Sequence, residues 1–193
     1  MTKTIIAVFS AVIILSSCTK ESTNNNGGGS ESLFMSFKTP DWERTVPCDL
    51  LVFDPVAIND STSKVFAESA STRHCFYFSY PLDSSEMTRP GNLKKYAIAN
   101  YGENTEPFQF SQKLPMDANS LTDLTRRLAS LEGFNATSYN EIQSISYVSS
   151  DNQYATFIVK GAYSLQAQQV ASNPLVTKPV TGSYALKVKT TRN

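Results

Sequence analysis

The sequence is poor in the side chains that enzymes most often use. Its 193 residues hold one histidine, His74, and three cysteines, Cys18, Cys48 and Cys75. A cysteine–histidine dyad needs thiol and imidazole within hydrogen-bond reach. His74 and Cys75 are adjacent in an alternating segment, where successive side chains point to opposite faces, so they cannot form a dyad with each other. The chain also lacks a CxxC pair or a Cys/His cluster of zinc spacing. GxSxG, P-loop, GxGxxG and HExxH patterns are absent as well. Asp41, Glu43, Asp49, Asp54, Asp60 and Asp83 lie scattered in or beside loop-like stretches, and nothing in the sequence selects two of them as a glycosidase-type pair. The stretch DANSLTD, Asp117 to Asp123, superficially resembles a calcium loop but has neither the central glycine nor the terminal glutamate. No catalytic, cofactor-binding or metal-ligating set emerges. The expectation is a protein that binds or scaffolds, with no cofactor.

Excess charge of one sign is missing too. Lys and Arg number 17, as do Asp and Glu, so no electrostatic argument favours nucleic acid as a partner. A long hydrophobic run is also lacking. The longest, Ile5 to Leu15, falls short of the roughly 20 apolar residues that cross a bilayer as a helix.

What is present at the N-terminus is a single Lys3, then that apolar run, then Leu15-Ser16-Ser17-Cys18. The order of charge, apolar stretch and small residues is that of a secretion signal. The final four residues fit a lipobox: small side chains admit the signal peptidase, and the cysteine thiol accepts a diacylglyceryl group. The segment after it, TKESTNNNGGGSES (19–32), contains no aliphatic or aromatic residue and reads as a flexible leash. Lipobox and leash together resemble the outer-membrane lipoproteins of Bacteroidota. The resemblance implies removal of residues 1–17, acylation of Cys18, a tether over 18–31 and one globular domain over 32–193. It also implies a lipid anchor in the outer membrane, on the periplasmic face or at the cell surface. Each buried CH₂ of an acyl chain contributes about 0.8 kcal/mol, and stable anchoring takes more than one chain. Once the leader is gone, 16 basic residues stand against 17 acidic ones. Cys48 and Cys75 then form an even pair in an oxidising compartment, which predicts a disulfide worth roughly 3.5 kcal/mol in the chain-entropy model.

The domain itself is rich in strand signals. LFMSFK (33–38), DLLVFD (49–54), RHCFYFSY (73–80), PFQFSQ (107–112), IQSISYVS (142–149) and QYATFIVK (153–160) read as strands, with the buried face of 142–149 ambiguous, and LKKYAIANY (93–101) reads as a strand or a helix. In 73–80, Cys75 and Tyr77 share one face while His74, Phe76, Phe78 and Tyr80 share the other. PLDSSEMTRPGN (81–92) reads as a loop, and Asp151-Asn152 as a hairpin turn. VKGAYSLQA (159–167) and VTGSYALKV (180–188) repeat one pattern, which predicts two paired strands joined through Pro174–Pro179, each glycine marking a bulge or bend. These paired G-x-Y strands are similar to those of small β-rich lipoproteins. Leu121, Leu124, Leu128 and Leu131 fall on one arc at helical spacing. With Ser120 and Asp123 as a capping box and Gly133 as the stop, they predict a packing helix over 120–132 whose Arg126 and Arg127 point outward.

The expected fold is mainly β (α+β), an antiparallel sandwich or partly closed barrel with that helix against it. Trp42, in the polar stretch TPDWERT, either covers one end of the core or stands as a ligand contact for a sugar ring or a protein. Expected partners are therefore the membrane through Cys18, an envelope protein of a larger outer-membrane assembly, or a glycan.

Overall fold

The structure is a computed structural model that describes residues 32–49, 56–171 and 173–192. The signal segment, Cys18, its tether and nearly all of the strand expected over 49–54 lie outside the described residues.

Among the described residues, eleven strands make one antiparallel sheet. In chain order they are β1 (Phe34–Lys38), β2 (Glu43–Pro47), β3 (Val56–Ala57), β4 (Thr62–Glu68), β5 (Cys75–Pro81), β6 (Lys95–Tyr96), β7 (Phe110–Pro115), β8 (Arg127–Ser130), β9 (Tyr139–Ser150), β10 (Tyr154–Gln169) and β11 (Thr177–Thr191). The hydrogen-bonded order is β2-β1-β11-β10-β8-β7-β5-β4-β3, with β9 branching from β10 and β6 pairing with β9. Two short strands, β1 and β2, meet through a turn that the Thr39 hydroxyl closes by accepting from the Asp41 and Trp42 amides. The sheet curls on itself as a half-barrel. Phe110 of β7 reaches Tyr163 of β10 at 4.4 Å between ring centres, and Phe78 of β5 reaches Tyr184 of β11 at 5.4 Å. The core is this aromatic seam, into which β5 sends Phe76, Phe78 and Tyr80 as the alternation predicts.

The two repeated segments are the centre of the sheet. They lie in β10 and β11, paired along their whole length, and the register sets Gly161 opposite Tyr184 and Tyr163 opposite Gly182. Each tyrosine thus lies across the other copy's glycine. A Cβ on Gly161 would meet the Tyr184 ring at 2.5 Å, and one on Gly182 would meet the Ser36 carbonyl at 2.1 Å. Gly161 does sit at a β-bulge, in the pairing with β9; Gly182 instead gives room to a neighbouring backbone and ring. Strand β10 ends at Gln169, and Pro179 is already inside β11, opposite Gln166.

The helix expected over 120–132 is not formed. Residues 127–130 are strand β8, which fills the gap between β7 and the end of β10, with Ala129 opposite both Lys113 and Gln168. Leu128 enters the core, Leu124 stays 75% exposed, and Arg127, expected outside, is 3% exposed. Short polar side chains hold the preceding stretch in turns: the Asp117 carboxylate accepts from the Asn119 amide, and the Asp123 carboxylate from the Thr125 amide and hydroxyl. Tertiary pairing overrides a leucine spacing that only coincides with the helical period. The one α-helix among the described residues, α1 (Ser84–Met87), lies inside the stretch read as a loop, with Asp83 as its N-cap.

Candidate functional site

Cys48 and Cys75 are both buried and both free, so the expected disulfide is not present. The register gives the reason. Cys75 lies opposite Glu68 and Lys113, on the outer face of the sheet, where Tyr101 covers it. Cys48 instead lines a small cavity of about 160 Å³ at one end of the core, together with His74, Met35 and Phe76. Cys48 thus packs with the inner core, while Cys75 sits under Tyr101 on the outer face. Burial, with Asp49 adding to it, pushes the Cys48 thiol up to about 11, and burial raises Cys75 as well. Both are protonated at neutral pH, and a thiol is a poor nucleophile.

His74 points inward, as the alternation predicts. Its ring packs against Phe37 and Phe76, and its Nε2 lies 3.1 Å from Gln112 Oε1. Burial lowers its pKa to about 4, so the imidazole is neutral. Gln112 Oε1 also accepts from the Tyr163 hydroxyl at 3.0 Å, and the same hydroxyl lies 2.8 Å from the Ser36 carbonyl. His74, Gln112, Tyr163 and Ser36 thus form a buried polar chain across the curl. Sequence reading singles out His74 but not Gln112, whose place in a strand gives no sign that it faces the core.

Trp42 is half-buried. It packs edge-on to Phe37 at 4.8 Å between ring centres, and its indole N–H donates to the Pro115 carbonyl at 3.1 Å. Of the scattered acids, Asp41 pairs with Lys178, Glu43 with Lys38, and Asp49 accepts from the Leu33 amide, while Asp54 lies outside the described residues. Asp60, Asp83 and Glu86 border one open depression, but Asp83 caps α1 and Glu86 pairs with Arg89. Among the described residues, no group of three His, Cys, Asp or Glu side chains is placed to hold a metal ion.

The arrangement with the most chemistry lies on the outer face of β4, β5, β7 and β8. Strand register brings Phe66 and Glu68, Cys75 and Tyr77, Lys113, and Arg127 to the same side. Over them lie Tyr101 and the turn carrying Leu124. All of these but Tyr77, together with Arg73 and Val170, line a depression of about 260 Å³. Tyr101 holds the floor: its hydroxyl is 3.0 Å from Cys75 Sγ, its ring meets Tyr77 edge-on at 5.4 Å, and Lys113 Nζ lies 4.5 Å from its centre. Burial and the Cys75 contact raise the Tyr101 pKa, which keeps it a neutral hydrogen-bonding phenol. Burial lowers that of Arg127, yet a guanidinium stays charged at any physiological pH. Such a set can hold a ligand by charge, phenol and apolar contact. It offers no activated nucleophile or base.

None of these outer-face residues stands out in the sequence except Cys75. Arg127 reads as an outward residue of a helix and Lys113 lies just past the strand read over 107–112, and only pairing shows that four strands and two loops gather them. Comparison with protein-family models, with curated proteins and with solved structures finds no match to this chain.

Proposed function

We propose that this protein is a lipid-anchored component of the bacterial cell envelope that acts by binding and not by catalysis. The anchoring half of the reading rests on Leu15-Ser16-Ser17-Cys18 at the end of the apolar run. Residues 18–31 would then tether the domain with a reach of at most about 50 Å when fully extended. The binding half is carried by one observation, the outer-face depression in which cationic and phenolic groups meet exposed apolar side chains. Its reactive groups are held in unreactive forms: the Cys75 thiol and the Tyr101 phenol are both protonated at neutral pH. This favours a small-molecule ligand there over a sugar contact at Trp42, whose N–H is already engaged.

Anchoring is tested by expressing the full chain in an envelope-bearing bacterial host fed an alkyne-labelled palmitate analogue. The expected result is label on the wild-type protein, which sediments with membranes. Cys18→Ala should lose the label and appear in the soluble fraction. Wild-type protein without label, or label that persists in Cys18→Ala, would overturn the anchoring assignment.

A further inference from the structure

We propose that the outer-face depression bounded by Phe66, Tyr101, Lys113, Leu124, Arg127 and Val170 binds a small amphiphilic carboxylate, an anionic head carried on an apolar body. The inference rests on the binding reading above and names the ligand class for its site.

Charge is the first part of the case. Three cations border the depression, Arg73, Lys113 and Arg127, against one acid, Glu68. Glu68 is taken by Arg73 at 3.3 Å. Neither Lys113 nor Arg127 has a carboxylate within ion-pair distance among the described residues. Lys113 rests instead over the Tyr101 ring.

Arg127 is the sharper of the two. At 3% exposure it is buried, and its guanidinium hydrogen-bonds to neutral carbonyls, those of Leu121 at 2.6 Å and Thr72 at 3.5 Å, while the Asp123 and Glu68 charges act on it only from beyond ion-pair distance. A guanidinium carries five N–H donors and a fixed charge. Burying that charge with no carboxylate in contact is unfavourable, and a bound carboxylate would supply that contact in the planar, two-point geometry that guanidinium recognises.

The rim supplies the second part. Phe66 is 47% exposed, Leu124 75% and Val170 41%. These are three of the nine large apolar side chains left exposed among the described residues, and all three border this one depression. Exposed apolar surface gathered around a few convergent polar groups is the usual make-up of a ligand site. The volume, about 260 Å³, lies just under the range typical of drug-sized ligands. A single ring or short chain bearing one acid group suits that space.

The test is calorimetric titration of the full chain with 4-phenylbutyrate, beside its neutral counterpart 4-phenylbutyramide. The expected result is saturable one-to-one binding of the acid, with the amide at least about tenfold weaker, the scale of one lost charge-assisted contact. Lys113→Gln and Leu124→Ser, one at the cationic floor and one at the exposed rim, should each weaken the acid several-fold. Leu93→Ser, exposed but outside the depression, should leave it unchanged. Equal affinity for acid and amide would overturn the anionic assignment while leaving a binding site in place. Undetectable binding of both, or acid binding indifferent to Lys113→Gln and Leu124→Ser, would overturn the site itself and remove the geometric support for the binding reading.

Discussion

At the scale of single residues, the two central glycines carry more of the fold than any side chain of their size could. Gly182 lets the Tyr163 ring cross the sheet and the Ser36 carbonyl approach, leaving 2.1 Å where a methyl group would stand. Gly161 plays the same part for Tyr184, at the bulge where the Glu141 carbonyl also comes close. Interior tyrosines and backbone have nowhere to retreat. We expect Gly182→Ala and Gly161→Ala each to destabilise by about 1–3 kcal/mol or more, the usual range for overpacking. Gly91→Ala, where nothing lies within 4 Å, should stay within about 0.5 kcal/mol. Urea denaturation of the three variants checks this. A neutral Gly182→Ala would show that β1 and β11 are not as close as the register requires.

At the scale of elements, the stretch 120–132 separates a helical reading from a strand. On a helix Leu124 and Leu128 would share the buried face, and truncating either would be comparably harmful. In the sheet, Leu128 lies in the core while Leu124 stands at the surface. Leu128→Ala is therefore expected to destabilise by about 2–5 kcal/mol, and Leu124→Ala by less than about 0.5 kcal/mol. Equal losses in thermal or chemical unfolding would contradict strand β8. Element scale also explains why β9 has an ambiguous face when read from its residues alone. Two bulges break its pairing with β10, so that Ile142, Ile145 and Tyr147 stand opposite Gly161, Val159 and Phe157 on one side. A strict period of two cannot represent a strand that changes phase twice.

At the scale of the whole molecule, the buried chain Ser36–Tyr163–Gln112–His74 ties β1, β10 and β7 to the start of β5. His74 makes this junction sensitive to acid. Its folded pKa of about 4 lies below the ordinary 6.5, so the imidazole is neutral in both states above that value and adds no pH dependence there. As pH falls from about 6.5 towards 4, the unfolded chain takes up a proton that the folded one refuses, and stability declines by up to about 3 kcal/mol. Urea unfolding at pH 7.5, 6 and 5 should show the decline in the wild type. His74→Leu should show a flatter profile over the same window, whatever its absolute stability. Equal slopes would mean that His74 is not held neutral in the core.

The sequence by itself determined the strands that alternate cleanly, the inward face of 73–80 and the pairing of the two repeated segments. Those features depend on neighbours along the chain, through a period of two and a glycine–tyrosine spacing that only a sheet can use. It also supplied the grounds for a lipid anchor at Cys18, in a segment outside the described residues. Tertiary structure alone decided which leucines of 120–132 are buried, because an open hydrogen-bonding position between β7 and β10 outweighed a helical spacing. The fate of the cysteines was decided the same way: pairing needs two sulfurs on one side of the sheet, and strand register set them on opposite sides. The outer-face depression is equally a product of assembly. Lys113, Arg127 and Tyr101 are ordinary surface residues in the sequence, and only the curl of the sheet gathers them around one buried charge.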